Sequence, residues 1–508
     1  MRRYHSHAIP FLGCLFGLWF LAAAPQSAMA TGKTLITAGD LRWIGTYAFP
    51  PTGTATSGGP GSTAYASGAI AVRYVNGQRR FLMPTYTDQD PTTGQTFGDL
   101  VEWQTPSAAP YTGADPTQAP TMVETRRWKN WTLLPSTPVW QEPATGIRVG
   151  GLLWDEAHGV LWYQLYGYYS GRNLPLLGAT QLLDTSSNGT YRGTGRLYGP
   201  WWYRSSDPTD KINLYWKAVC NWIVPIPASS QADLGGNTLI LGGTVGAVGG
   251  AGNLGPGFRA LSGLPPLTDP PNTVLPLGLR LADYTSESPL SIPQAHRNAN
   301  YQFDGVPYSA SDSGLQPPSG TTGYWQMSLD QVNSFIWVDT PTREGILLFG
   351  RQATGMHWYG FNPRSASPGW TGSYPDALDP TREIGNSNGY GSTGWTGALY
   401  LFDPAQVRDV GRGARSPWSD GINPTMILDW HSQWPNLPYN RYRSGTTASA
   451  SRPIESTISN GGYWDSVTQQ VLWVQPMSVG DTQLQPTLNI FQIGTGGISP
   501  PANVRIIQ

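Results

Sequence analysis

The sequence predicts an all-β fold, and more specifically a β-propeller of roughly five to seven blades with long loop insertions. Three observations lead to this prediction: a composition rich in glycine, proline and aromatic residues, a strand–turn–strand pattern that recurs far along the chain, and strands that are apolar on both faces. Together they describe several small sheets, each covered on both sides.

The composition favours strands joined by turns. The 508 residues include 62 glycines, 45 prolines, 22 tryptophans and 25 tyrosines. Glycine and proline interrupt helices, whereas aromatic side chains fit a pleated sheet. Two short helices are predicted, one with Asp403 as N-cap and Pro404 at its first position, and one that ends at Gly235.

A strand–turn–strand pattern recurs at distant positions. Residues 150–162 (GGLLWDEAHGVLW) and 461–473 (GGYWDSVTQQVLW) share a glycine pair, a Trp-Asp step and a closing Val-Leu-Trp. Weaker copies cover 67–86, with Asn76-Gly77 as a hairpin turn, and 323–338. Hairpins of one type at wide spacing predict small sheets repeated around an axis.

The strands of this pattern are apolar on both faces. Alternation places Val160 and Trp162 on one face and Leu161, Tyr163 and Leu165 on the other. Both faces must then be covered, as in a blade packed between two others. An array of β-sandwiches and a β-helix are alternatives that the sequence leaves open.

The first 30 residues have the pattern of a secretory signal peptide. Arg2 and Arg3 precede an apolar stretch, and Ala28-Met29-Ala30 is a cleavage signature. We expect residues 31–508 to be a single propeller domain, secreted to the periplasm or the extracellular space. No later segment has the roughly 18 apolar residues of a membrane span.

Charge and cysteine content exclude several classes of function. The formal net charge is −1 and only 12% of residues are charged, so no basic surface for nucleic acid is expected. Beyond residue 30 the one cysteine is Cys220, so neither a disulfide framework nor a two-cysteine metal site can form.

No cofactor is predicted. Gly250, Gly252 and Gly255 have the spacing of a dinucleotide-binding loop, but Pro256 and the prolines after it leave no helix to receive a pyrophosphate. Asp88 and Asp90 are a weak calcium signal and no zinc motif is present, so a bound ion stays undetermined.

Histidines in unrepeated segments are the first candidates for catalysis. Arg351, His357 and Tyr359 follow an apolar strand, and alternation would place His357 and Tyr359 on one side as a proton-transfer pair beside a cation. The alternative is an ordinary histidine in a tryptophan-rich blade. A polar segment adds His296 and, as a substrate-binding cation, Arg297.

Carboxylates are the second group of candidates. Glu344 and Asp304 are predicted as catalytic acids, and Asp99 and Glu102 are further acids to test. Glycoside hydrolysis needs two carboxylates roughly 5–10 Å apart, a separation that sequence spacing cannot establish between blades.

Aromatic and arginine clusters are the candidates for substrate binding. Rings stack on the apolar faces of sugars, and arginines bind acidic substituents in a bidentate manner. The predicted set is Arg351, Arg297, Trp201, Trp202, Arg204, Trp430, His431 and Trp434. For each cluster, filling of the core is the alternative.

Two segments, residues 345–360 (GILLFGRQATGMHWYG) and 399–410 (LYLFDPAQVRDV), resemble secreted bacterial β-propeller proteins that have no assigned activity. This resemblance implies the fold and no reaction. We therefore expect a secreted propeller that acts on an extracellular polysaccharide as a hydrolase or lyase. A non-catalytic glycan-binding or surface-adhesion propeller and a scaffold for a protein partner are the alternatives.

Overall fold

A computed structural model describes the following residues, called the described residues from here on: 32–50, 69–85, 98–132, 147–167, 176–186, 191–204, 221–243, 257–276, 278–283, 331–332, 334–359, 374–375, 383–384, 390–417, 422–437, 461–479 and 485–494. They are almost all strand and turn, which confirms the all-β prediction.

The described strands up to residue 204 are β1 (Thr34–Leu35), β2 (Leu41–Ala48), β3 (Ala71–Val75), β4 (Gln78–Pro84), β5 (Leu100–Gln104), β6 (Val123–Trp128), β7 (Ile147–Asp155), β8 (Val160–Gly167), β9 (Leu176–Ser186) and β10 (Arg192–Arg204). They continue as β11 (Trp222–Pro225), β12 (Leu239–Gly243), β13 (Gly257–Leu261), β14 (Val274–Pro276), β15 (Arg280–Asp283), β16 (Gln331–Val332), β17 (Ile336–Asp339), β18 (Arg343–Tyr359), β19 (Tyr374–Pro375) and β20 (Glu383–Ile384). The last are β21 (Tyr390–Phe402), β22 (Pro424–Leu428), β23 (Gly461–Asp465), β24 (Gln470–Val479) and β25 (Gln485–Ile493). The described helices are α1 (Ala228–Gln231), α2 (Pro404–Gly411) and α3 (Trp430–Gln433).

Within the described residues twenty of these strands form five antiparallel four-stranded sheets that follow one another along the chain. The other five strands are short: β1 and β16 pair with β18, β14 pairs with β10, and β19 pairs with β20. Blade 1 is β3–β4–β5–β6, blade 2 is β7–β8–β9–β10, blade 3 is β11–β12–β13–β15, and blade 4 is β17–β18–β21–β22. Blade 5 combines β23, β24 and β25 with the N-terminal strand β2. The first strands of the blades are neighbours in the cyclic order β3, β7, β11, β17, β23 and back to β3.

The core consists of layers between successive blades. Five hydrophobic clusters fill the interfaces of blades 1 and 2, 2 and 3, 3 and 4, 4 and 5, and 5 and 1. Trp162 belongs to the layer facing blade 3, whereas Leu161, Tyr163 and Leu165 belong to the layer facing blade 1. The chain is therefore a closed β-propeller, and within the described residues it has five blades.

The repeated hairpins occupy equivalent positions. Residues 150–162 and 461–473 form the first hairpins of blades 2 and 5, and 67–86 contains that of blade 1, with Asn76 and Gly77 at positive φ. Of the copy predicted at 323–338, the first half lies outside the described residues, and Ile336–Asp339 is the first strand of blade 4, which turns after Asp339. Both predicted helices are confirmed, with the Asp403 side chain accepting from the Ala405 amide and Gly235 in the left-handed region.

The ring has two unlike ends because every blade is an antiparallel meander. At the turn end, the first strand of a blade turns into the second, and in blades 1 to 4 the third leads to the fourth. At the loop end, the second strand leads to the third, and the fourth leads to the next blade. The first strands run in parallel around the ring: Asp465 at the end of β23 contacts Tyr74 near the end of β3, while Gly462 near the start of β23 lies against Ser334 just before β17.

Closure of the ring depends on a tight backbone contact at Gly45 in β2. Its φ is +136°, and a Cβ there would lie 2.7 Å from Pro110 Cβ and 2.9 Å from the Tyr111 carbonyl oxygen. We predict that Gly45→Ala lowers the free energy of unfolding by about 1–3 kcal/mol, because both the backbone conformation and the contact become strained. Chemical denaturation of the full chain measures this change.

Gly193→Ala is the matched control. Gly193 also lies in a strand, and a Cβ there would meet Leu183 at an ordinary 3.7 Å. This variant should unfold within about 0.5 kcal/mol of the wild type. Equal losses in the two variants would show that Gly45 has no special part in closure.

Candidate functional site

Most of the predicted site residues that the structure describes belong to the loop end. Arg204 is the last residue of β10, the fourth strand of blade 2. Arg351, His357 and Tyr359 lie in the later half of β18, the second strand of blade 4. His431 lies in α3, which follows the fourth strand of the same blade. His296, Arg297 and Asp304 lie outside the described residues, between β15 and β16 in sequence.

At this end the second and third strands of blade 4 extend well beyond its first strand. Its first strand pairs with β18 only at residues 344–347, whereas the β18–β21 ladder continues to the pair Tyr359–Tyr390. Arg351, His357 and Tyr359 are all on this extension, opposite Gly397, Ser392 and Tyr390. The backbone therefore carries the three predicted residues past the ring, on its loop-end side.

Helix α3 is fixed to the base of this extension by Trp430. The Trp430 indole N–H donates to the Gly350 carbonyl at 2.8 Å, in the residue that precedes Arg351. The ring lies over Gly397, where a Cβ would come within 2.3 Å of it, so only glycine fits there. This hydrogen bond joins Trp430 to Gly350, which directly precede His431 and Arg351 in sequence. The backbones of these two predicted site residues are therefore close together.

Four tryptophans that the sequence predicts to bind substrate lie in the core instead of on the surface. Trp201 lies in the layer between blades 2 and 3, Trp202 in the layer between blades 1 and 2, and Trp430 and Trp434 between blades 4 and 5. All are buried. Because these rings have no exposed face on which a sugar could stack, their observed contribution is packing. The core-filling alternative describes them.

Glu344 lies at the turn end, away from the other candidates. Its two carboxylate oxygens accept from the two terminal nitrogens of Arg408 on α2 at 2.7 and 2.8 Å, and both side chains are buried. Desolvation opposes the charge on Arg408, but the Glu344 carboxylate outweighs it and raises the pKa of the guanidinium. A carboxylate held in this way joins α2 to β18, and the catalytic role predicted for Glu344 gains no support.

Glu102 joins all four strands of blade 1. Its buried carboxylate accepts from Arg73 on β3 at 2.6 Å and from Arg126 on β6 at 2.8 Å, and it lies 3.8 Å from Arg80 on β4. The Arg73 guanidinium also stacks on Trp154 of blade 2, 5.0 Å from the ring centre. Glu102 is therefore the centre of an arginine cluster at the interface of blades 1 and 2.

Replacing Glu102 should leave three arginines partly buried without their common partner. We predict that Glu102→Gln lowers the free energy of unfolding by roughly 3–5 kcal/mol. Asp184→Asn, which alters the cluster's solvent-exposed carboxylate, is the control and should cost at most about 1 kcal/mol. Denaturant midpoints at neutral pH test this, and similar midpoints for E102Q and wild type would contradict it.

The buried carboxylates of the described residues share one property. Each is bound by at least one arginine: Asp40 by Arg343, Asp99 by Arg127, Glu102 by the cluster above, Glu344 by Arg408 and Asp465 by Arg79. Asp99 and Glu102 were among the acids that the sequence offered for catalysis. Every carboxylate in this set is therefore engaged in an ion pair.

Asp465 connects the last blade to the first, a role that sequence reasoning missed. Its carboxylate accepts from the Tyr74 hydroxyl at 2.8 Å, from Arg79 at 2.8 Å and from Thr468 at 2.6 Å. Burial works to raise the pKa of Asp465, but the hydrogen bonds from Thr468, Arg79 and Tyr74 outweigh it, and the pKa is lowered. Its repeat partner Asp155 instead binds His158 within its own turn.

The lowered pKa of Asp465 makes this contact sensitive to acid. Its stabilisation is complete above the pKa of the unfolded chain, about 4, and is lost as the pH falls through the lower folded-state value. We predict that Asp465→Asn is clearly less stable than wild type at pH 7 and that the difference narrows below about pH 4. Asp155→Asn, at the equivalent but more exposed position, should cost less at pH 7. Thermal unfolding across this pH range tests both statements.

No group of three or more histidine, cysteine, aspartate or glutamate side chains among the described residues is arranged to hold a metal ion. None of their helices combines the length and apolar character needed to cross a bilayer.

Comparisons with known proteins assign no family to this chain. No protein-family model matches the chain, and no curated protein matches it. One solved structure, described as a "putative glycoside hydrolase" from Parabacteroides distasonis, aligns over 89% of this chain and 98% of its own at 8% identity and a TM-score of 0.37. A TM-score this low does not establish a shared fold, so the propeller rests on the sheets and core layers described above.

Proposed function

We propose that the chain is a secreted, carbohydrate-active propeller that binds an extracellular polysaccharide at its loop end. One observation carries the proposal: Arg204, Arg351, His357, Tyr359 and His431 come from different parts of the sequence and all belong to this end of the ring. Binding residues commonly lie on connections held by a rigid scaffold.

Within this proposal the residues on β18 favour elimination over hydrolysis. A hydrolase needs two available carboxylates, and the buried ones of the described residues are all bound by arginine. A lyase needs a cation to hold a uronate carboxylate and a base to remove the adjacent proton. Arg351 would fill the first role and His357 or Tyr359 the second.

The same observation on carboxylates favours a second function. A propeller that only binds glycans needs no acid or base, so arginine-bound carboxylates are compatible with it. The two functions differ in what they release: a lyase produces unsaturated sugars and a hydrolase new reducing ends, whereas a binding protein produces neither.

The test is an assay of the purified chain on a panel of neutral and uronate-containing polysaccharides. We predict turnover of a uronate-containing polymer, lowered about a hundredfold or more in Arg351→Ala, His357→Ala and Tyr359→Phe. His158→Ala is the matched histidine control, because His158 is exposed at the turn end. It should retain wild-type turnover.

The outcomes separate the alternatives. Binding without product selects the non-catalytic function. Full turnover in all three variants contradicts the assigned residues, and absence of both binding and turnover across the panel contradicts the proposal.

A further inference from the structure

The β18–β21 extension of blade 4 loses its flanking strands at the level of the predicted site. On one side, the last pair between β21 and β22 is Leu399 with Leu428. On the other side, β17 pairs only as far as Leu347, and β16 pairs with Gly350 and Arg351. Beyond this level no other described strand pairs with the extension, and a two-stranded ribbon is only marginally stable without packing. The extension therefore needs a support at its base.

Trp430 provides this support where β22 stops. Strand β22 ends at Leu428, and α3 begins at Trp430. The Trp430 indole N–H donates to the Gly350 carbonyl, and its ring lies over Gly397, the direct cross-strand partner of Arg351. One side chain therefore contacts both strands of the extension, at the level of Arg351.

The position of Trp430 is itself fixed from two directions. On blade 5, Trp473 meets its ring edge to face, with ring centres 5.3 Å apart. Within α3, the Trp430 carbonyl accepts from the Trp434 amide at 2.9 Å, and Trp434 packs against Phe491 of blade 5 with ring centres 4.8 Å apart. All four rings are buried. A helix of one turn is not stable by itself, so these contacts hold α3 in place.

Two predicted site residues share this one support. Arg351 follows Gly350 on β18, and His431 follows Trp430 on α3. Trp430 and Gly350 are 80 residues apart in sequence, so the chain itself does not fix the separation of the two elements, whereas the hydrogen bond does. A site recognises its ligand only when such supporting contacts hold its groups to within about 0.5 Å.

We propose that Trp430 is a positioning residue for the recognition of an acidic sugar, because it fixes Arg351 and His431 relative to each other where a uronate carboxylate binds. This rests on the proposed function, in which Arg351 binds that carboxylate, and it names the residue on which this binding depends. Trp430 itself touches no substrate, since its ring is buried between blades 4 and 5. Loss of the support should weaken the binding of acidic sugars and spare their neutral esters, because only the free acid presents a carboxylate.

Two variants remove the support in different ways. Trp430→Phe keeps an aromatic ring in the layer and removes the N–H that binds Gly350. Gly397→Ala places a methyl group where it would lie within 2.3 Å of the Trp430 ring, so the ring must move.

Each variant has a matched control. Trp473→Phe makes the same substitution in the same layer, but the Trp473 N–H has no hydrogen-bond partner among the described residues. Gly193→Ala adds a methyl group to a strand of blade 2 at an ordinary contact distance.

The measurement is the affinity of the full chain for uronate oligosaccharides and for their methyl esters, determined by calorimetry with oligomers of galacturonate, mannuronate and glucuronate. We expect the wild type and both controls to prefer the free acid of one of them. Trp430→Phe and Gly397→Ala should lose about tenfold or more of this preference and keep their affinity for the ester. Thermal unfolding checks that each variant is folded, and if one is not, the other decides.

The outcomes separate this inference from the proposed function. Wild-type preference in Trp430→Phe and Gly397→Ala would overturn the positioning role and leave the proposed function standing. An equal loss of affinity for acid and ester would also overturn it, because it would show a general effect on packing. A wild type that binds glycans without preferring the free acid would overturn it as well. Absence of binding to any glycan, neutral or acidic, would instead contradict the proposed function itself.

Discussion

The pairing of β2 with β25, the last described strand, is the interaction on which the rest of this structure depends. Strand β2 completes blade 5 by pairing with β25, and Thr46 bonds to Asn489 across 443 residues of sequence. Without it, blade 5 would have three strands and β25 would be left as an open edge. The Asp465 contact with Tyr74 and Arg79 reinforces the same junction from the turn end. Every blade is then enclosed by two neighbours, which is what permits strands apolar on both faces.

Buried polar groups are distributed unequally between the two ends. Toward the turn end, buried carboxylates pair with arginines of neighbouring blades: Asp465 of blade 5 with Arg79 of blade 1, and Asp40 beside blade 5 with Arg343 of blade 4. In the loop-end half of blade 5 the buried polar groups are uncharged amides and hydroxyls. Ion pairs between blades therefore tie the ring together at the turn end.

The fold could be predicted from the sequence because packing between blades requires repeated hairpins and strands that are apolar on both faces. Two copies of one hairpin and the two apolar faces around Trp162 were sufficient to predict a ring of blades. Sequence reasoning failed for individual side chains, since the Trp201-Trp202 step looks the same whether the rings lie on a loop or in two adjacent core layers. Glu344 could not be distinguished from a catalytic acid because its partner Arg408 is 64 residues away in sequence. Asp465 and Asp155 occupy the same position in the repeated hairpin. Asp465 binds Tyr74 of the neighbouring blade, whereas Asp155 binds His158 within its own turn, and the hairpin sequence alone does not distinguish these contacts.

The place of β2 in the ring has a consequence for how the molecule is made. Strand β2 is synthesised before the other strands of the five blades, and it stays unpaired longest because its partner β25 is synthesised after them. Until then β2 and the growing blades expose unpaired strand edges, the kind of surface that invites association between chains.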